Sequence, residues 1–339
     1  MTATLEPTVT EAIEPGALLK PIDEQADFAE WRKGGIGASD IAAILGLSPW
    51  ESPWSLWATK VGLAPEVDVT DAMEHGLWAE HSIVPWYEQR TDLYVAYPQW
   101  RAIGSETWMR CTIDGAAHES DLFSTPGITG ALHLVECKAT GDGPSKWDEE
   151  GIPIHYKAQA TWQSIVTGID TVVFPVLHVP FGRVTFAIYE HTPSAEDKAL
   201  VLEAATEFWQ RVVDNDPPPA DAHQATSKAI KHAYNIPDAD DILFADDELD
   251  ALVASLRMEK QRAKSAADRI AELENRIKVR MADCAHLRYG DNDLVTWKPS
   301  TSRRVDLDAL REDYPDLIND YTTTTTTRRF LVKQPKGTS

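Results

Sequence analysis

Three cysteines in 339 residues, Cys111, Cys137 and Cys284, are too few and too scattered for a thiolate metal site. No two form a CxxC pair, so tetrahedral zinc and four-cysteine iron–sulfur clusters are excluded as organising centres. No apolar run approaches the ~18 residues that span a bilayer. The first residues, MTATLEPTVTEAIEPG, carry no basic segment of the kind that opens a secretory signal. These absences lead us to expect a soluble cytoplasmic protein with reduced thiols and no membrane partner.

Positive charge is also scarce. The net charge is −22, and residues 1–223 hold 13 basic against 34 acidic side chains. Within 252–304 the balance reverses, 12 against 7. Nucleic-acid phosphates are met by Lys and Arg, so a DNA-binding role requires the few cations of the first region to be gathered in one place. Composition is otherwise globular, with 43% hydrophobic and 25% charged residues.

The stretch Leu132–Thr140, LHLVECKAT, reads as a buried strand that nevertheless carries Glu136 and Lys138. Positions i and i+2 of a strand share a face, so a carboxylate and an ammonium should stand together, with Cys137 packing on the other side. Upstream, MRCTIDG reads as a strand ending at Asp114. Two hard carboxylates beside a lysine suit Mg²⁺, with Mn²⁺ as a substitute, because that ion takes one or two carboxylates and completes its shell with water and phosphate. A strand-edge ion pair is the alternative for D…ExK taken alone.

The surrounding segments extend the pattern. WRKGGIGASDIAAILGLSP (31–49), GLWAE (76–80), TIDG, VECKAT and YKAQATWQSIVTG (156–168) follow one another in an order that resembles the YqaJ-type viral recombinase family. That family includes the lambda-type phage exonucleases of the PD-(D/E)XK superfamily. The resemblance covers about residues 28–195. It implies an α/β, restriction-endonuclease-like core with a mixed sheet flanked by helices. It further implies Asp114, Glu136, Lys138 and Gln159 as catalytic residues, with Glu80, Asp114 and Glu136 as metal ligands. Arg32 and Ser39 would hold a 5′-phosphate, and Tyr156 would touch substrate. A second glutamine of the family is Thr161 here.

Several of these residues also have plain structural readings. Ser39 can serve as a helix cap, Glu80 as a solvated helix-face acid, and Trp147 as a core anchor or a stacking surface. The GGIG turn offers backbone N–H groups to a phosphate if they are left unbonded.

We expect four segments: a disordered tail (1–25), the exonuclease domain (26–216), a linker (217–245), and a long helix with a small α+β appendage (246–339). Leu249, Leu256, Ala263, Ile270, Ile277 and Cys284 recur every seven residues in that helix of about 40. TTTTTTRRFLVK should add a strand, and Arg303, Arg304, Arg328 and Arg329 are either DNA-backbone contacts or solvated charges. The expected activity is Mg²⁺-dependent 5′-to-3′ resection of double-stranded DNA ends in a phage or prophage context. The product would pass to a single-strand annealing protein of the RecT/Bet kind, and the enzyme can be a homo-oligomer. An endonuclease or resolvase of the same fold, or a silent acidic DNA mimic, are the alternatives.

Overall fold

The computed structural model describes residues 18–19, 30–65, 70–97, 100–119, 128–234, 242–324 and 327–333. The chain divides into two units, Met1–Tyr234 and Asn235–Ser339.

The first unit is built on a six-stranded mixed sheet. Its strands are β2 (Tyr94–Ala96), β5 (Gly115–His118), β6 (His133–Val135), β8 (Val172–His178) and β7 (Lys138–Thr140), in that order, with β9 (Thr185–His191) also paired to β8. Both β6 and β7 run parallel to β8, while β2, β5 and β9 pair antiparallel to their neighbours. A second, three-stranded sheet joins β1 (Leu18–Leu19), β3 (Trp100–Ile103) and β4 (Arg110–Ile113). Leu18 and Leu19 pair with Ala102 and Arg101. These two residues, within the expected N-terminal tail, pair along the edge of β3.

Strand periodicity sorts the core into two layers. Ala96, Ala116, Leu134, Val172, Phe174 and Val176 face one cluster, which includes Trp162 of α5 (Ile154–Thr167) and Val201 and Phe208 of α6 (Ala195–Asp214). Their neighbours Val95, Ala117, Val135, Cys137 and Val173 face the other, with Ile83, Val84 and Tyr87 of α3 (Asp71–Thr91). Helices thus cover both faces, as expected of this fold class. Leu77 of α3, by contrast, is 50% exposed. Cys137 packs in the core, as expected.

Three differences from the sequence reading bear on the site. The ExK segment is not one strand: it breaks between β6 and β7 at Glu136 and Cys137, where the Cys137 N–H turns to the Asp114 carboxylate at 2.8 Å. GDGPSKWDEEGIP, whose glycines and prolines read as a loop, holds α4 (Pro144–Glu150), started by a proline at its first turn. Within the expected linker, α7 (Gln224–Ala233) is a helix packed on α2 (Pro53–Lys60). There Thr226 is buried and its hydroxyl meets that of Ser52 at 2.6 Å.

The second unit contains α8 (Asp247–Met281), a hairpin of β10 (His286–Tyr289) and β11 (Asn292–Thr296), and the short helices α9 (Leu307–Asp313) and α10 (Pro315–Asp320). At 35 residues, α8 spans about 50 Å. Its seven-residue series is partly open to solvent, with Ile270 58% exposed. Residues 322–324 and 327–333 form no strand. Arg303, Arg304, Arg328 and Arg329 are exposed within this unit. No described helix is long and apolar enough to cross a membrane.

Candidate active site

The even positions of the broken strand bring Glu136 and Lys138 to the face covered by α5, and that helix meets them with two glutamines. Lys138 Nζ donates to Glu136 Oε1 at 2.6 Å, and Gln159 Nε2 donates to the same oxygen at 2.5 Å. Lys138 also donates to Gln159 Oε1 at 3.3 Å. Gln163, one helical turn after Gln159, donates to Glu136 Oε2 at 2.6 Å and to the Thr112 carbonyl at 3.0 Å. Glu136 is 4% exposed and Gln163 fully buried. The sequence reading assigned Gln163 no role, although its i+4 spacing from Gln159 marks it as sharing that helix face. Thr161 instead bonds back to the Lys157 carbonyl at 2.8 Å, so the family's second glutamine has no counterpart at that position.

Asp114 sits between β4 and β5, 8% exposed. Gly115 follows it for a steric reason. A Cβ there would lie 2.5 Å from Val95 Cγ1 and 3.2 Å from the Ala96 carbonyl, so only glycine lets β2 and β5 close beside the acid. Burial pushes the Asp114 carboxyl well above the usual carboxylate range. The charges of Glu136 and Glu80 push the same way, while Lys138 and the Cys137 N–H offset part of it. Burial alone would lower the Lys138 pKa. The Glu136 and Asp114 carboxylates outweigh that and hold it above an ordinary lysine.

Glu80 is half-buried on α3, on the opposite face of the sheet, and acts on Asp114 through its charge. Among the described residues no three His, Cys, Asp or Glu side chains close on one point. The acids that could face a metal ion are Asp114 and Glu136, with Glu80 acting on Asp114 through its charge. Hard oxygens with excess negative charge fit a divalent ion that takes two protein carboxylates and fills its shell with water and substrate.

The Arg32–Ser39 segment is organised differently from expectation. Gly35 is required because a Cβ would lie 2.4 Å from the Trp108 carbonyl, where Ile36 bridges to β4. The N–H groups of Gly34, Ile36, Gly37 and Asp40 are bonded to Glu30, Trp108, Asp40 Oδ2 and Gly37. Those four amides are thus taken, and α1 (Asp40–Ile44) is only five residues long. Ser39 makes no capping bond and is exposed. Arg32 Nη2 lies 3.4 Å from Asp40 Oδ1, and Lys60 Nζ lies 2.7 Å from Asp40 Oδ2.

Arg32, Lys33, Ser39, Lys60, Tyr156 and Gln159 line one cleft of about 330 Å³. Three of the first region's thirteen cations, Arg32, Lys33 and Lys60, therefore line this one cleft. Tyr156 places its ring 4.7 Å from Lys138 Nζ. Trp147, 3% exposed, is a core anchor and not a stacking surface.

A mixed sheet carrying Asp114 at one strand end, and Glu136 and Lys138 at the break between the next two, has the arrangement that the resemblance to PD-(D/E)XK cores leads one to expect. Residues 27–170 match the YqaJ-like viral recombinase domain. The chain is also 27% identical over 323 residues to the uncharacterized protein YqaJ of Bacillus subtilis (strain 168), covering 90% of this chain and 94% of the relative. Among solved structures it is similar to an alkaline exonuclease, LHK-Exo, from Laribacter hongkongensis (TM-score 0.44, 16% identity, 57% of this chain and 94% of that one). A second is a phage-related exonuclease from Haemophilus somnus 129PT (TM-score 0.40, 9% identity, 53% and 96%).

Proposed function

We propose that the chain is a Mg²⁺-dependent exonuclease that resects double-stranded DNA ends, 5′ to 3′, leaving a 3′ single strand for an annealing protein. The observation that carries this reading is the continuity of the cleft. Arg32 and Ser39 lie on the same cavity as Gln159, and Gln159 is bonded to Glu136. A terminal phosphate and a scissile phosphate can then be held by one wall.

Asp114 and Glu136 would hold the ion, which when bound lowers the pKa of its water and offsets charge building on the phosphate. Lys138 remains an ammonium beside two carboxylates, which supports positioning of water or phosphate by donation over proton abstraction. Gln159 bonds to both Glu136 and Lys138, so it orients the pair and offers its amide to substrate. Gln163 fixes the second Glu136 oxygen against the Thr112 carbonyl. Arg32 supplies a forked, permanent charge to a terminal phosphate.

Timed digestion of linear DNA labelled separately at each 5′ and 3′ end, with Mg²⁺, tests the proposal. Early release of the 5′ label, faster from 5′-phosphate than from 5′-hydroxyl ends, is expected. Nicking of closed circular duplex would instead make the enzyme an endonuclease.

A further inference from the structure

The mouth of the cleft is walled by rings that the mechanism above leaves unused. Trp50 lines it and is 69% exposed, an expensive position for so large an apolar surface. Its backbone is fixed, since Ser48 Oγ accepts from the N–H of Trp50 at 3.2 Å and of Glu51 at 3.1 Å. The indole meets His155 edge-on, with centroids 5.2 Å apart at 88°. His155 lies 4.2 Å from Tyr156, whose ring faces Lys138 Nζ. An aromatic row therefore runs from solvent to the reacting corner. Burial, with Lys138 adding to it, lowers the pKa of His155. Arg32 and Lys33 line the same cavity.

We propose that Trp50 is a stacking platform for the terminal base of the strand being hydrolysed, with His155 as the positioning residue behind it. This rests on the nuclease reading and adds to it the part of the nucleotide that the cations do not recognise. Phosphates are met by Arg32 and Lys33, and the base face by the indole. Cationic grooves interleaved with exposed rings bind single strands in this way, and with little sequence preference, because every base has a π-face. A base inside an intact stack cannot lie on Trp50, so the platform selects an end whose last pair has opened.

The test is equilibrium binding, by fluorescence anisotropy, of a labelled hairpin duplex with one 5′-phosphorylated end. It is run in Ca²⁺ to hold back cleavage, with a matched duplex whose terminal nucleotide is abasic. Wild type should bind the abasic end about ten-fold more weakly. Trp50→Ala should bind the normal end about ten-fold more weakly and lose nothing further on the abasic one, whereas Trp50→Phe should recover most of the difference. Circular dichroism melting confirms that each variant is folded. Equal loss on both ends in Trp50→Ala, or no abasic discrimination by wild type, overturns the platform. Discrimination by a wild type that cleaves nothing in Mg²⁺ overturns the nuclease reading and leaves the platform standing. A wild type that neither binds nor cleaves overturns both.

Discussion

Asp40 and Asp114 are almost equally withdrawn from water, at 0% and 8% exposure, yet their pKa values are pushed in opposite directions. Burial alone would raise the Asp40 pKa, but Lys60, Arg32 and the Gly37 N–H outweigh it and hold the carboxyl below its ordinary value. At Asp114 the nearest strong influences after burial are two more acids, and its pKa rises. The difference separates a carboxylate whose partners are all built into the chain from one left short of positive charge. The first holds a fold together, and the second waits for something to bind.

The contrast can be broken most directly by Asp→Asn at each position. Asp114→Asn should lower Mg²⁺-supported DNA hydrolysis by about 10⁴-fold, a figure on the scale of removing a metal ligand. Its urea midpoint should hold or rise, because like-charge repulsion is removed while the amide oxygen still accepts from Cys137. Full activity in a folded Asp114→Asn protein would end the site assignment. Removing Glu136 is a poorer version of this test. It would strand Lys138, Gln159 and Gln163, all of which donate to it, and so cost stability as well.

Asp40→Asn should do the reverse. Lys60 is only 4% exposed in its side chain, and an uncompensated buried ammonium costs about 3–5 kcal/mol. The measurement is denaturant unfolding, and a loss under about 1 kcal/mol would show the pair to be solvated. Its pH dependence follows from the lowered pKa. The Asp40 contribution is present above the unfolded value near 3.8 and is lost as pH falls through the still lower folded value.

The smallest expected effect lies between these two acids in character. Burial, and then the charge of Asp40, raise Glu51 from 4.5 to about 7, although Arg32 and Lys60 pull it down. A raised carboxyl pKa means that the folded state favours the proton. The resulting penalty is absent below about 4.5, grows as pH rises, and is complete above about 7. Glu51→Gln should therefore gain about 1–3 kcal/mol over wild type at pH 8 and nothing at pH 4.5. Parallel melting curves at all pH values would remove Glu51 from the comparison.

What the sequence made legible follows the range of the interactions. Asp114, Glu136 and Lys138 could be placed together because strand periodicity is local and the acids interrupt apolar runs. Gln159 came with its helix. Gln163 was missed because one glutamine among several carries no signal of type, and only its turn-spacing from Gln159 could have singled it out. The Asp40–Lys60 pair joins residues on different helices, which no local pattern connects. The glycines of the GGIG turn were read as serving a phosphate. The Gly35 requirement is contact with Trp108, across a distance in sequence that no local pattern encodes. The break at Glu136–Cys137 was equally hidden, since it depends on Asp114 capturing a backbone amide 23 residues away.

Gly115 carries a lesson for anyone collecting inactive alleles. The position of Asp114 depends on a gap that one methyl group would fill, and the far wall of that gap is Val95, a core residue on a strand with no chemistry of its own. Loss-of-function variants should therefore accumulate on β2, where enlargement of Val95 forces the same displacement from the other side. A mutational map of this domain would show a cold, hydrophobic strand scoring as sharply as the acids themselves.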